Sequence, residues 1–154
     1  MARLEIGDKA PAFTLKDQNR SNVALKEYLG TRVVLYFYPA DDTPGCTKEA
    51  CQFNDEFESL NRLGVLVFGV SPDGADAHQA FIKKYGLRFS LLSDPEKTVM
   101  ATYGAFGDKM NYGKTIQGVI RSTFVIGPTG LIEHAFYNVR ADGHAARVLA
   151  TLAN

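Results

Sequence analysis

Two cysteines, five positions apart, are the residues of this 154-residue chain best suited to redox chemistry: Cys46 and Cys51. Cys46 follows Thr43-Pro44-Gly, in which Thr43 can serve as the N-cap of a helix and Pro44 as its first residue. Cys46 then falls in the first helical turn, where unpaired backbone N–H groups and the helix dipole favour an anion. Because the thiolate is the reactive form of cysteine, this position predicts a nucleophilic sulfur.

The helical phase separates the two sulfurs. At about 100° per residue, Cys46 shares with four other residues a stripe that should pack on a sheet: Ala50, Phe53, Phe57 and Leu60. Cys51 lies about 140° around the helix from Cys46, with a Cα–Cα distance of roughly 8.6 Å. A disulfide spans less than about 7 Å between Cα atoms. Bonding of the two sulfurs would therefore require this turn of helix to unwind.

The elements around the helix predict that Cys46 lies just beyond the end of a buried strand. Residues 32–38 are almost all β-branched or aromatic, which is typical of a strand covered on both faces. Further strands are predicted at 11–15, 65–70, 90–93, 122–126 and 131–136, the last two as a hairpin. Helices are predicted at 44–62, 75–85, 95–103 and 143–152, with a helical turn at 23–28 and irregular chain over 104–119. This order predicts one α/β domain, residues 1–154, with a mixed central β-sheet flanked by helices.

Composition excludes several kinds of partner. Acidic and basic residues balance at 17 each, so we expect neither nucleic acid nor an anionic membrane as partner. No apolar stretch approaches the roughly 20 residues that span a bilayer, and the N-terminus lacks a secretory pattern. We therefore expect a cytoplasmic protein, in which two cysteines are more often catalytic or metal-binding than structural.

Metal ligation is not expected either. The three histidines, His78, His134 and His144, are scattered, and the spacing of the cysteines does not match a zinc site. The Gly-rich stretch around residue 113 lacks the pattern of a phosphate-binding loop. We predict neither a metal nor an organic cofactor.

Residues 36–51 resemble the peroxiredoxins, most closely the branch called bacterioferritin comigratory protein or peroxiredoxin Q. Pro39, Thr43 and Cys46 meet the family's Pro-x-x-x-Thr-x-x-Cys signature, and Cys51 meets the branch's second cysteine. Residues 121–126, which begin with Arg121, are similar to the family's arginine-bearing strand. The similarity extends from residues 7–13 to residues 143–145 and implies a thioredoxin-like fold.

The resemblance implies a thioredoxin-dependent peroxidase. The Cys46 thiolate would attack a peroxide and become a sulfenic acid. Cys51 would condense with it to an intramolecular disulfide, and thioredoxin or a similar dithiol would reduce that disulfide. We expect a monomer, as is frequent in this branch.

Four further residues acquire roles from the resemblance. Arg121, which alone would be read as a solvated residue at a strand end, would stabilise the thiolate and polarise the peroxide. Thr43 would accept a hydrogen bond from the peroxide and direct another at the sulfur. Pro39 would shield the sulfur from water, and Glu49 would brace Arg121. Ala40 departs from the branch, in which lysine is frequent at this position.

Two other functions remain open. The first is a thioredoxin-like protein disulfide oxidoreductase, although such enzymes usually carry Cys-x-x-Cys rather than the spacing of Cys46 and Cys51. The second is a non-enzymatic redox sensor or holdase with the same fold. Peroxide consumption coupled to thioredoxin oxidation would distinguish all three.

Overall fold

Strands and helices alternate along the chain, and the computed structural model describes residues 3–153, apart from the side chain of residue 111. The strands are β1 (Thr14–Lys16), β2 (Asn22–Ala24), β3 (Arg32–Phe37), β4 (Val65–Ser71), β5 (Ser90–Ser93), β6 (Phe106–Asn111), β7 (Lys114–Val119), β8 (Ser122–Ile126) and β9 (Ile132–Phe136). The helices are α1 (Pro44–Asp55), α2 (Phe57–Arg62), α3 (Ala75–Tyr85), α4 (Thr98–Thr102) and α5 (His144–Ala153), with a 3₁₀ helix at Leu25–Tyr28. Over residues 3–153, no helix is long and apolar enough to cross a membrane.

Seven strands form one mixed sheet in the order β2-β1-β5-β4-β3-β8-β9. The central strands β3, β4 and β5 are parallel, whereas β8 pairs with β3 in the antiparallel direction. Strand β3 is buried from residue 33 to residue 37, and its alternating side chains enter two separate cores. The predicted mixed sheet flanked by helices is confirmed.

Helix α1 begins where the chain leaves the carboxyl end of β3 and packs against that strand. Cys46, Ala50 and Phe53 are buried in the same core, so the predicted apolar stripe is confirmed. The ring of Phe53 stacks on that of Tyr36 with centroids 4.7 Å apart, which joins the middle of α1 to β3. Packing on the sheet therefore fixes the rotation of α1 and turns Cys46 inward.

The predicted helix over 44–62 is interrupted. Glu56 has φ −89° and ψ 2°, so α1 ends at Asp55 and α2 begins at Phe57. The guanidinium of Arg88 donates to the carbonyl oxygen of Asn54 at 2.5 Å, an acceptor that a continuous helix would offer to residue 58. A partner 34 residues away competes for that carbonyl, which local periodicity cannot reveal.

The predicted helix over 95–103 is shorter than expected. Lys97 has a left-handed backbone with φ 63°, so α4 spans only Thr98–Thr102. The carboxylate of Asp94 accepts the N–H of Met100 at 2.9 Å. Asp94 thus satisfies an N–H group in the first turn, and Pro95 is not the first helical residue.

Residues 104–119 are regular, contrary to the expectation of irregular chain. β6 and β7 pair along six residues as an antiparallel hairpin, and form a two-stranded sheet. Tyr112 and Gly113 form its turn, both with positive φ, which is typical of a type I′ hairpin. Most side chains of β7 are exposed, so the strand lacks the alternating pattern that would have predicted it.

The helical turn predicted over 23–28 is shorter than expected. Residues 22–24 form β2, which pairs with β1 at the edge of the seven-stranded sheet, and the helical turn spans only Leu25–Tyr28.

Gly69 in the buried strand β4 leads to a testable prediction. A Cβ atom at this position would lie 2.8 Å from a methyl carbon of Leu91 and 2.9 Å from the ring and hydroxyl of Tyr36. We expect Gly69→Ala to lower the free energy of unfolding by about 1–3 kcal/mol, because the crowded core has to shift. Gly107→Ala is the control, since a Cβ atom at that strand position meets nothing within 4 Å in the described part of the chain. Equal urea midpoints for the two variants would contradict the prediction.

Candidate active site

Cys46 lies in a recess at the start of α1 and is only 1% exposed. The helix begins as predicted: Thr43 is extended at φ −97° and ψ 156°, and its carbonyl oxygen accepts the N–H of Thr47 at 2.8 Å. Cys46 therefore occupies the first turn, among backbone N–H groups that have no partner within the helix. The sulfur lies where the helix dipole favours negative charge.

The hydroxyl of Thr43 does not cap the helix, which corrects the expectation from sequence. It donates instead to the carbonyl oxygen of Ala40 at 2.9 Å. The loop between β3 and α1 turns back on itself, with Asp42 in the left-handed region at φ 56°, and this brings Ala40 within reach. The hydroxyl proton is thereby engaged, while the oxygen lone pairs of Thr43 can still accept a hydrogen bond.

Arg121, just before β8, joins Cys46 to Glu49. One guanidinium nitrogen, Nη2, lies 3.4 Å from the sulfur of Cys46, and the other, Nη1, donates to Oε1 of Glu49 at 2.5 Å. Arg121 is largely buried, with 18% of its side chain exposed, unlike the solvated arginine that is usual at a strand end. The planar fork of arginine permits both contacts at once.

Glu49 is fully buried on α1, three residues after Cys46. Burial raises the pKa of its carboxyl to about 7, although the charge of Arg121 acts in the opposite direction. Its second oxygen, Oε2, has no hydrogen-bond partner among the described residues. The structure thus brings Glu49 to Arg121, as the resemblance implies, and leaves it able to gain or lose a proton near neutral pH.

Cys51 lies within the same continuous helix as Cys46 and is half-buried. Burial and the neighbouring charge of Asp55 raise the pKa of its thiol, so it is protonated at neutral pH. Both cysteines are free thiols in this structure. The two sulfurs therefore occupy different environments on one intact helix.

A cavity of ≈520 Å³ opens beside Arg121. Its lining includes Pro39 and three residues of the β6–β7 hairpin, Asp108, Lys109 and Met110. A small molecule in this cavity would reach the guanidinium. The hairpin thus borders the site.

Two features of the site were not predicted from the sequence. A Cβ atom on Gly45 would lie 3.3 Å from Nη2 of Arg121, so the absence of a side chain there makes room for the guanidinium. The imidazole of His78, which the sequence showed only as an isolated histidine, contacts the carboxylate of Asp41 in the loop before Cys46. A glycine beside the cysteine was a visible signal, whereas a pair of residues 37 positions apart was not.

Known proteins share this architecture. The model of the AhpC/TSA family matches residues 6–135. A putative peroxiredoxin of Mycobacterium tuberculosis is 53% identical over 146 residues, which cover 95% of this chain and 93% of the relative. Peroxiredoxin Bcp of Bacillus subtilis is 42% identical over 149 residues, covering 97% and 96%. The crystal structure of a mutant PrxQ from Xylella fastidiosa superimposes with a TM-score of 0.92 at 33% identity, covering 99% and 98%.

These matches agree with the geometry of the site, a buried thiol in the first turn of a helix beside an arginine. They extend over nearly the whole length of this chain and of the relatives. The chain belongs to the AhpC/TSA family and, within it, to the Bcp or PrxQ peroxiredoxins, and is a thiol-dependent peroxidase.

Proposed function

We propose that Cys46 is the sulfur that reacts with peroxide. The observation that carries this proposal is the contact of the Arg121 guanidinium with the Cys46 sulfur, inside the buried first turn of α1. The Cys46 thiolate attacks one peroxide oxygen, the O–O bond breaks and an S–O bond forms. The other oxygen leaves as an alkoxide or hydroxide, takes up a proton and departs as alcohol or water, so that Cys46 becomes a sulfenic acid.

Arg121, Thr43 and Pro39 act on the peroxide in this proposal. The Arg121 charge stabilises both the thiolate and the negative charge that develops on the leaving oxygen. Thr43 accepts the peroxide O–H, because its own proton is engaged by Ala40. Pro39 lines the cavity beside Arg121 and has no N–H group, so it limits access of water without competing for the peroxide.

Cys51 then resolves the sulfenic acid. Its thiol condenses with Cys46, an S–S bond forms and water leaves. Since both cysteines lie on α1, this step requires the helix to unwind between them. Thioredoxin or a similar dithiol reduces the disulfide and is itself oxidised to a disulfide.

We further propose that the chain acts as a monomer in the cytoplasm. Both thiols of the cycle lie on one helix of one chain, so no second subunit is needed to supply a sulfur. Cytoplasmic dithiols supply the reducing equivalents. A protein disulfide oxidoreductase would have to present its first sulfur to another protein, whereas Cys46 is 1% exposed.

The roles of the two cysteines are tested by the intact mass after one equivalent of hydrogen peroxide. We expect the wild type to lose two hydrogens as the disulfide forms. Cys51→Ser gains one oxygen as a sulfenic acid that a dimedone reagent captures, and Cys46→Ser remains unoxidised over the same time. Catalytic peroxide turnover by Cys46→Ser would refute the first role. Wild-type turnover with thioredoxin by Cys51→Ser would refute the second.

Arg121→Lys tests the shared guanidinium. Lysine carries the same charge but a single nitrogen in place of the two guanidinium nitrogens, so it can contact Cys46 or Glu49 but not both. We expect the rate constant for peroxide with Cys46, measured by single-turnover mass spectrometry, to fall about 100-fold. The control is Arg32→Lys, because Arg32 also forms a two-pronged pair, with Glu133, at the opposite end of β3. Similar rates for the two variants would show that the fork is not required.

Glu49→Gln tests the buried carboxyl through the pH dependence of stability. The folded protein holds the Glu49 proton up to a pKa of about 7, above the ordinary value of 4.5. As pH rises from 4.5 to about 7, the free energy of unfolding of the wild type should therefore fall relative to that of Glu49→Gln. The fall is at most about 1.4 kcal/mol per pH unit. Urea unfolding at several pH values measures this difference. Glu58→Gln is the control, since that carboxylate is 71% exposed; a flat difference for Glu49→Gln would contradict the shifted pKa.

A further inference from the structure

We propose that Asp41 is a positioning residue that holds the loop before Cys46 in its peroxide-reactive shape, and that this hold is released when α1 unwinds toward Cys51. The inference rests on the proposed roles of the two cysteines. It assigns to Asp41 control over the choice between disulfide formation and over-oxidation of Cys46.

Asp41 is anchored at three points. Its Oδ1 accepts the hydroxyl of Tyr38 at 2.5 Å, and its Oδ2 lies 2.6 Å from Nδ1 of His78 on α3. Its backbone N–H donates to the carboxylate of Asp73, after β4, at 2.8 Å. The Asp41 side chain is 5% exposed and that of His78 is 0% exposed, so water competes little for these bonds.

The contact between Asp41 and His78 is a short, buried hydrogen bond. Nε2 of His78 lies 3.0 Å from the carbonyl oxygen of Leu92, which can only accept, so Nε2 carries a proton. The approach of Nδ1 to Oδ2 at 2.6 Å requires a proton between these two atoms as well. Both ring nitrogens are thus engaged, and burial strengthens the bond to Asp41.

This anchor reaches the reacting groups through the loop itself. The carbonyl oxygen of Ala40, the residue before Asp41, accepts the hydroxyl of Thr43. Pro39, the residue before Ala40, lines the cavity beside Arg121. Asp42 holds a left-handed backbone, an arrangement that a non-glycine residue adopts only when its surroundings impose it. The side chain of Asp42 also bonds to Lys84 and Tyr85, but those contacts are exposed, so Asp41 supplies the buried anchor of this loop.

The other end of the helix is anchored separately. Gln52 bonds to Asp142 and to the N–H of Gly143 at the start of α5, both at 2.8 Å. Asn54 accepts the N–H and guanidinium of Arg88, at 2.9 Å and 3.2 Å through its side chain. The chain from residue 52 onward is thus held on two sides. Unwinding is confined to the stretch between Asp41 and Cys51.

Two reactions compete for the sulfenic acid of Cys46. If α1 unwinds, Cys51 displaces water and the disulfide forms. While α1 stays helical, a second peroxide can react: its O–O bond breaks, the sulfur gains an oxygen to become a sulfinic acid, and alcohol or water leaves. A contact that exists only in the helical form slows the first reaction and so favours the second.

The test measures the peroxide concentration that converts half of Cys46 to sulfinic acid, by peptide mass spectrometry, with dithiol reductant present. We expect Asp41→Ala to raise this concentration about tenfold, equivalent to the loss of one charge-assisted hydrogen bond. Asp41→Asn, which keeps two hydrogen bonds but removes the charge, should give an intermediate value. Asp42→Asn is the matched control, since it removes a charge from the same loop. The partners of Asp42, Lys84 and Tyr85, lie at the surface, so this variant should have the wild-type peroxide concentration for half conversion.

Hydrogen exchange of the reduced proteins supplies a second readout. Asp41→Ala should exchange faster than Asp42→Asn over residues 42–50, with no change over 52–62. The inference is overturned if folded Asp41→Ala has the wild-type over-oxidation threshold, or if Asp42→Asn shifts it as far. If circular dichroism shows that Asp41→Ala does not fold, an unshifted threshold for Asp41→Asn overturns it. A wild type that forms neither disulfide nor sulfinic acid at Cys46 would instead refute the proposed function.

Discussion

The guanidinium of Arg121 lies between a sulfur and a carboxyl in a recess where burial disfavours charge on both. Its contacts with Cys46 and Glu49 offset that cost, because a fixed cation stabilises an anion most strongly where water is excluded. Strand register decides whether the contact exists. Phe37 pairs with Ser122 across β3 and β8, so Arg121 emerges beside the point at which β3 passes into the loop of Cys46. A shift of one residue would direct this side chain to the other face of the sheet.

In the proposed cycle, two requirements oppose each other on α1. The sulfur of Cys46 is activated by an intact helix, whose first-turn N–H groups and dipole point at it. Its bond to Cys51 needs that same turn to open, because helical geometry separates the two residues. The fold accommodates both by stabilising the two ends of the segment differently. The middle and end of α1 are fixed by Phe53, Gln52 and Asn54, whereas its start depends on polar contacts at Asp41 and Arg121.

Two buried groups, Glu49 and His144, make the stability of the fold depend on pH. Glu49 is buried beside Arg121 and titrates near neutrality. His144, at the start of α5, is held by the hydroxyl of Thr123 at 2.7 Å, and burial lowers its pKa to about 4. Protonation of His144 on acidification therefore destabilises the fold, whereas ionisation of Glu49 does so as pH rises. The two groups limit the stable range from opposite sides.

Much of the site follows from local sequence. The apolar run of β3, the start signals of α1 and the phase of Cys46, Ala50 and Phe53 are properties of neighbouring residues, and the structure confirms them. The peroxidase function follows from the family match over residues 6–135 and from peroxiredoxins similar over nearly the whole chain. These features are local because periodicity and capping act within a few turns of chain.

Tertiary structure decided the rest. The break at Glu56, the hydroxyl of Thr43 turned to Ala40, and the pair of Asp41 with His78 each depend on a partner brought close only by folding, or on a loop conformation imposed by the fold. The β6–β7 hairpin lacks a buried face, so no hydrophobic pattern encodes it. The sequence alone predicts Cys46 as the reactive sulfur, and helical geometry predicts that a bond to Cys51 requires α1 to open. Only the packed chain determined what holds that helix closed, because hydrogen bonds between distant residues form once the sheet has set their register.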